Sequence, residues 1–256
     1  MITHPFSAIS AFAKALPLLL SRRLRLFLLA PILANIALMG LLYTVALSYM
    51  GIAVDEMMGY VPEWMSFLNW LFYVLLNIAI GLLMFYSFSV GVNILAAPFM
   101  AFLAEKVEEH QTGKQFDEDF SAMGLMKIAG RSLKRELQKL AYFIPRFLGL
   151  LLLSFIPVVN VVTSVLIVMF SAWMLALQYM DYAFDNNKVP FHDMRAALRE
   201  KPLLCWTFGF IVMLGVTIPF LNLFVMPIAA VAATLLWIKL FSERFVNYAD
   251  LLSQTR

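Results

Sequence analysis

Ile156-Pro157-Val158-Val159-Asn160 and Ile218-Pro219-Phe220-Leu221-Asn222 share one punctuation, Ile-Pro-x-x-Asn, and each lies inside an uncharged apolar run. The first run is Phe147–Met180, 34 residues, and the second is Pro202–Ile238, 37 residues. A straight spanning helix takes about 20 apolar residues, and two of them with a turn take over about 40. Both runs are too long for one span and short for two. Each reads as a helical hairpin that enters the bilayer, turns, and leaves by the side it entered. Proline removes a backbone donor and breaks the helix. Asparagine bonds backbone groups freed by the turn. Irregular backbone at membrane depth persists only where protein buries it or water lines it. The tips, Pro157 with Asn160 and Pro219 with Asn222, are therefore expected to meet other protein or to line a path. Paired interrupted apolar segments also point to a binding site. The plainer reading is two Pro-kinked helices with no site.

The rest of the chain supports a membrane setting. It is 62% hydrophobic and 14% charged, with mean hydropathy +0.84, against roughly 45–50% apolar in soluble proteins. The first apolar run, Leu26–Val54, is 29 residues, too long for a signal-peptide core, and is expected to be retained. Cys205 is the only cysteine, so neither an intrachain disulfide nor a thiolate metal site is expected.

Charge placement sets the topology. The loop holding Asp55, Glu56 and Glu63 has no Lys or Arg and is expected outside, while Lys14, Arg22, Arg23 and Arg25 mark the inside. Trp64–Ala104 is uncharged over 41 residues. A helix of that length reaches roughly 60 Å. It is expected to span from Ser66 to Val90 and to continue beyond the membrane with a bend near Pro98. Glu105–Arg146 has eight basic and seven acidic residues and is expected in the cytoplasm. If each Ile-Pro-x-x-Asn run were a single span, Lys188, Arg195, Arg199 and Lys201 would lie outside. As hairpins, the two runs keep all 19 basic residues on one side.

The expected fold is thus an all-α integral membrane protein of one domain, residues 1–256. An interfacial amphipathic helix covers 5–20, with Phe6, Ile9, Phe12 and Leu16 at helical spacing. Long transmembrane helices cover 26–50 and 64–104. A cytoplasmic helical region covers 105–146. Two partially penetrating, re-entrant hairpins cover 147–180 and 202–238. Asp185-Asn186-Asn187-Lys188 reads as a turn, and Phe191–Arg199 as a short helix.

The chemistry of an enzyme is missing from this pattern. His4, His110 and His192 form no metal-binding pair. Phosphate loop, nucleophile elbow and dinucleotide fingerprint are absent. No carboxylate lies inside a predicted membrane run, so an acidic proton or sodium relay is unsupported. No metal, cofactor or nucleic acid is expected. Ser21-Arg22-Arg23-Leu24-Arg25 precedes the first span, where guanidinium groups can grip a tetrahedral oxyanion. Such arginines also fix topology and touch anionic headgroups. The cluster Arg131, Lys134, Arg135 and Lys139 allows the same two readings, with the headgroup-facing one preferred.

Asn93-Ile-Leu-Ala-Ala-Pro-Phe99, Leu103-Ala-Glu105, Lys134-Arg-Glu136 and Phe170-Ser-Ala-Trp-Met-Leu-Ala176 are unusual strings. Phe184-Asp-Asn186, Lys188-Val-Pro-Phe191 and Leu221-Asn-Leu-Phe224 continue them in order. With them the chain resembles the CysZ family of bacterial sulfate permeases along nearly its whole length. The resemblance implies a multi-pass sulfate uptake protein of the bacterial inner membrane, with both termini cytoplasmic, feeding cysteine biosynthesis. It also implies a homo-oligomer, a dimer or higher, of chains with two long helices and two partly penetrating hairpins, in contact with membrane lipids. It places sulfate at a Gly-Leu/Ile-Arg-Arg motif before the first long helix. Here the corresponding positions are Arg23, Leu24, Arg25 and Leu26, so only Leu24 and Arg25 match. Arg25 is the first candidate, then Arg23, then Arg22, either of which supplies the missing charge from another angle. The alternative function is a non-transporting membrane scaffold or regulator whose basic residues bind lipid headgroups.

Overall fold

A computed structural model describes residues 3–21, 55–116, 122–218 and 221–245, with isolated helical positions between 33 and 52. Nothing is described for 22–32, which includes Arg22, Arg23, Leu24 and Arg25, nor for 219–220, which includes Pro219. The elements are α1 (Thr3–Leu19), a 3-10 turn (Glu63–Leu68), α2 (Asn69–Thr112), α3 (Ala122–Ser154), α4 (Val159–Asn186), α5 (Phe191–Arg199), α6 (Pro202–Thr217) and α7 (Leu221–Leu240). Among the described residues there is no strand. The chain divides into two compact units, one of residues 1–28 with 98–256 and one of residues 29–97.

In the larger unit, α3 and α4 form an antiparallel pair joined at Phe155–Val158. This is the turn expected at the first Ile-Pro-x-x-Asn. Two parts, Gly130–Ser154 and Val159–Asn186, are each long and apolar enough to cross a membrane. The arms extend well beyond the uncharged run, because charges on α3 meet opposite charges on α4. Pro145 sits inside α3 without ending it. The turn after α4 is fixed by two hydrogen bonds, Lys188 N to Asp185 O at 2.8 Å and Val189 N to Phe184 O at 3.0 Å. That pattern needs a left-handed residue, and Lys188 takes it, at φ 58°. The short helix α5 then runs Phe191–Arg199, as its pattern predicts, and bends by 102° into α6. Pro202 begins α6, where a missing N–H costs nothing.

The core is built from small residues on facing helices. Ala172, Ala176 and Ala183 of α4 are fully buried, as are Ala229, Ala230, Ala232 and Ala233 of α7. Small side chains let helix backbones approach closely where the hydrophobic effect gives little association between spans. Gly209 of α6 shows how close: a Cβ there would sit 1.7 Å from the Ala172 carbonyl oxygen. Near the turn between α6 and α7, a Cβ on Gly215 would lie 2.6 Å from Val225. At the other end, Phe184 packs on Trp237 (ring centroids 4.6 Å) and on Phe241 (5.3 Å).

Helix α1 packs on α6 and α7 through Ala8, Ala11, Ala15 and Leu19. Its larger apolar residues Phe6, Ile9 and Leu16 are exposed, while Phe12 lies 4.9 Å from Phe208. Three of the four residues of the predicted apolar stripe therefore face out, while Phe12 and the alanines face in. In the smaller unit, Tyr60, Trp64, Phe67 and Trp70 are exposed beside the acidic loop. Exposed aromatic residues at a span's end suit the membrane–water boundary. The helix α2 is continuous through Pro98 to Thr112.

Candidate functional site

The first hairpin tip is stripped of side-chain caps. Val158 precedes α4 with φ 73°, a left-handed backbone rare for a β-branched residue, and its side chain offers the helix no oxygen. Asn160 N donates to Ile156 O at 3.1 Å. Ser164 Oγ donates to Asn160 O at 2.8 Å and reaches Asn160 Oδ1 at 3.3 Å. The Asn160 side chain thus meets Ser164 one turn on, where the sequence led us to expect turn backbone. Val158 is 88% exposed and Phe155 77%, so the tip is open in a single chain. In each hairpin the second arm starts at the tip, at Val159 and at Leu221. Each tip therefore presents a helix N-terminus, the end whose dipole favours anions. Asn222 falls in the first turn of α7, and its side chain lies outside the described residues.

The base of the same hairpin holds a different arrangement. Arg131, Arg135 and Lys139 project from α3 at four-residue spacing, and Asp181 and Asp185 project from α4 at the same spacing. Arg135 Nε donates to Asp185 Oδ1 at 2.8 Å and lies 3.3 Å from Asp181 Oδ1. Arg135 Nη2 donates to Val189 O at 2.6 Å. Arg131 Nε donates to Asp185 Oδ2 at 2.9 Å. Lys139 Nζ bridges Glu136 (2.6 Å) and Asp181 (3.3 Å). Three cations face three carboxylates, and Arg135, Lys139 and Asp181 are buried. Arg131, Arg135 and Lys139 therefore neutralise internal carboxylates, which corrects the headgroup-facing expectation for these three, while Lys134 is exposed. A cluster so balanced has little attraction left for sulfate. The sequence signal was present in the two facing ladders of opposite sign, but it requires knowing that α3 and α4 are antiparallel neighbours.

Amide side chains tie this base to α2. Asn186 Nδ2 donates to Ala101 O at 2.6 Å, and Asn187 Nδ2 to Glu108 Oε2 at 2.8 Å. Lys114 contacts both Asn187 and Glu108. At the far side, Arg244 Nη1 donates to Glu200 Oε2 at 2.6 Å, and that bond holds the Glu200 carboxyl below its usual range.

The candidates thus separate. Pro157 and Asn160 form a defined, open tip. Arg22, Arg23, Leu24, Arg25 and Pro219 lie outside the described residues, and of Asn222 only the backbone is described. In the basic cluster of α3, Arg131, Arg135 and Lys139 are internally paired.

Residues 11–227 match the family described as sulfate transporter CysZ/etoposide-induced protein 2.4. A protein of Pseudomonas fluorescens (strain Pf0-1) named sulfate transporter CysZ is 43% identical over 227 residues, 88% of this chain and 90% of that protein. A protein of Pseudomonas syringae pv. tomato (strain ATCC BAA-871 / DC3000) with the same name is 43% identical over 227 residues, 88% of this chain and 89% of that one.

Proposed function

The chain belongs to the sulfate transporter CysZ/etoposide-induced protein 2.4 family, and from that premise we propose that it carries sulfate across a membrane. The observation that carries this reading is identity of 43%, sustained over 88% of the chain, to relatives named as sulfate transporters. Apolar helices of spanning length and exposed aromatic residues at the end of α2 accord with it. The membrane is the bacterial inner membrane, the N- and C-termini are cytoplasmic, and the imported sulfate serves cysteine biosynthesis.

Sulfate is held by the arginines before the first long helix. Arg25 carries the main contact, with Arg23 and Arg22 adding charge beside Leu24. Forked guanidinium hydrogen bonds match the oxygen geometry of a tetrahedral dianion. The pairing of Arg131, Arg135 and Lys139 with carboxylates supports this choice by leaving those three with little attraction for an anion. The uncapped start of α4 at the first tip offers the passing anion a favourable dipole end without a fixed charge to trap it. The hairpins line the path within a homo-oligomer, and the protein works without a cofactor.

Uptake of radiolabelled sulfate into proteoliposomes tests the function. Uptake above protein-free liposomes is expected, and uptake equal to them sinks it. A non-transporting scaffold that holds lipid headgroups predicts that second result. For the site, Arg25→Ala should weaken sulfate binding by about tenfold or more, the worth of a charge-assisted contact. Unchanged binding in that variant moves the site elsewhere while leaving transport intact.

A further inference from the structure

A cavity of about 440 Å³ opens between α3, α4 and the start of α6. Its walls are mostly apolar: Leu150, Leu166 and Met169 line one part, while Tyr142, Trp173 and Arg199 line another. Tyr142 and Leu150 lie eight residues apart on α3, so the cavity runs about 12 Å along the helix, from the hairpin base toward the tip.

The basal end carries one unsatisfied donor on its wall, at Trp173, and a second beside it, at Arg195 behind Tyr142. The Trp173 indole N–H is buried without a hydrogen-bond partner, and so is the Nε of Arg195. Arg195 lies over the Tyr142 ring at 4.7 Å and Arg146 over the same ring at 3.9 Å. Among the described residues, no carboxylate pairs with Arg146, Arg195 or Arg199. This is the reverse of the neighbouring ion-pair ladder, where every cation faces an acid. A buried donor left unpaired is costly, so such a group marks a place for an acceptor.

We propose that this cavity binds one anionic phospholipid. Its phosphate sits at the basal end, against the Arg199 guanidinium and the Trp173 N–H. One acyl chain runs along Leu166, Met169 and Leu150. The apolar length selects a lipid over a free oxyanion, which gains nothing from 12 Å of aliphatic wall. The basic end selects an anionic headgroup over a zwitterionic one, as basic pockets between spans do at the cytoplasmic face. The site is separate from the arginines proposed for sulfate and does not depend on them.

Native mass spectrometry of the full-length protein in detergent tests this, with phosphatidylglycerol and phosphatidylcholine of identical chains as probes. Phosphatidylglycerol should be retained about tenfold more tightly. The double variant Arg199→Gln with Trp173→Phe should lose that preference, keeping the exposed position polar and the ring in place. Leu166→Trp, which fills the apolar part, should weaken both lipids. Helical content by circular dichroism identifies any variant that has failed to fold, and the wild-type comparison of the two lipids stands without them. Equal retention of both lipids by the wild type overturns the proposal. So does a preference for phosphatidylglycerol that survives in the folded double variant. Sulfate binding to delipidated protein that Arg199→Gln abolishes also overturns it, by making the cavity a free-oxyanion site.

Discussion

Arg135 holds two buried carboxylates at once, Asp181 and Asp185, and also bonds the Val189 carbonyl. Removing it leaves Asp185 to Arg131 and Asp181 to Lys139, one cation each, in a place water scarcely reaches. Arg135→Ala should therefore destabilise the protein by about 3–5 kcal/mol, the usual cost of breaking one side of a buried pair. Thermal unfolding in detergent measures this, and a loss under about 1 kcal/mol would show that Arg131 and Lys139 suffice. Glycines give an opposed pair of predictions. A methyl on Gly209 collides with the Ala172 backbone carbonyl, which has no flexible end to move aside. Gly209→Ala should cost about 1–3 kcal/mol, as overpacking does. Gly130 is exposed on α3 with nothing within 4 Å of a built Cβ. Gly130→Ala should instead stabilise by about 0.5–1 kcal/mol through helix propensity. The same unfolding assay reads both, and equal signs would contradict the close α4–α6 approach.

At the scale of elements, the turn at the first Ile-Pro-x-x-Asn motif was legible because proline has a local consequence that no tertiary contact is needed to predict. The first turn falls at Phe155–Val158, and α5 takes the limits its spacing suggested. What the sequence hid depends on partners. The alanine face of α1 was invisible because small residues signal close packing only when the facing helix is known. The ladders of α3 and α4 read as two separate charged segments until the turn brings them together. Nor could the cavity beside Tyr142 be read, since α3, α4 and α6 all contribute to it. A topological prediction follows from the hairpins. Lys188 and His192 lie in the connection between α4 and α6, and His192 is largely exposed. Both should face the cytoplasm if each apolar run returns to its own side. In a Cys205→Ala background, Lys188→Cys and His192→Cys should react with a membrane-impermeant maleimide only from the cytoplasmic face. Reaction from the outer face would replace the hairpin by single spans.

Across the whole molecule, hairpin depth bears on how sulfate crosses. Arg146 is the last charge on α3 before the tip, and its guanidinium turns back over Tyr142 toward the base. From Arg146 to Pro157 is 11 residues, a helical rise of about 16 Å. From Pro202 to Thr217, α6 has 16 residues, about 24 Å of rise. A hydrocarbon core is about 30 Å thick. Measured from those charges, the entering arms α3 and α6 fall short of that thickness, while Val159–Asn186 of α4 is long and apolar enough to cross it. If both runs return at partial depth, the remainder of the route comes from long helices or neighbouring copies. The exposed apolar side chains at Leu33, Leu41, Val45, Tyr49 and Ile52 supply a lipid-compatible surface on which such copies can meet. The purified protein is therefore expected to be a homo-oligomer, which light scattering corrected for detergent would detect. Nanodiscs loaded with one chain each should then bind sulfate without conducting it, while liposomes holding the oligomer conduct. The chain carries no phosphate-loop motif, so that flux should follow the sulfate gradient and be unchanged by ATP. A monomer in detergent that still conducts when reconstituted singly would place the whole path within one chain and refute the half-depth hairpin.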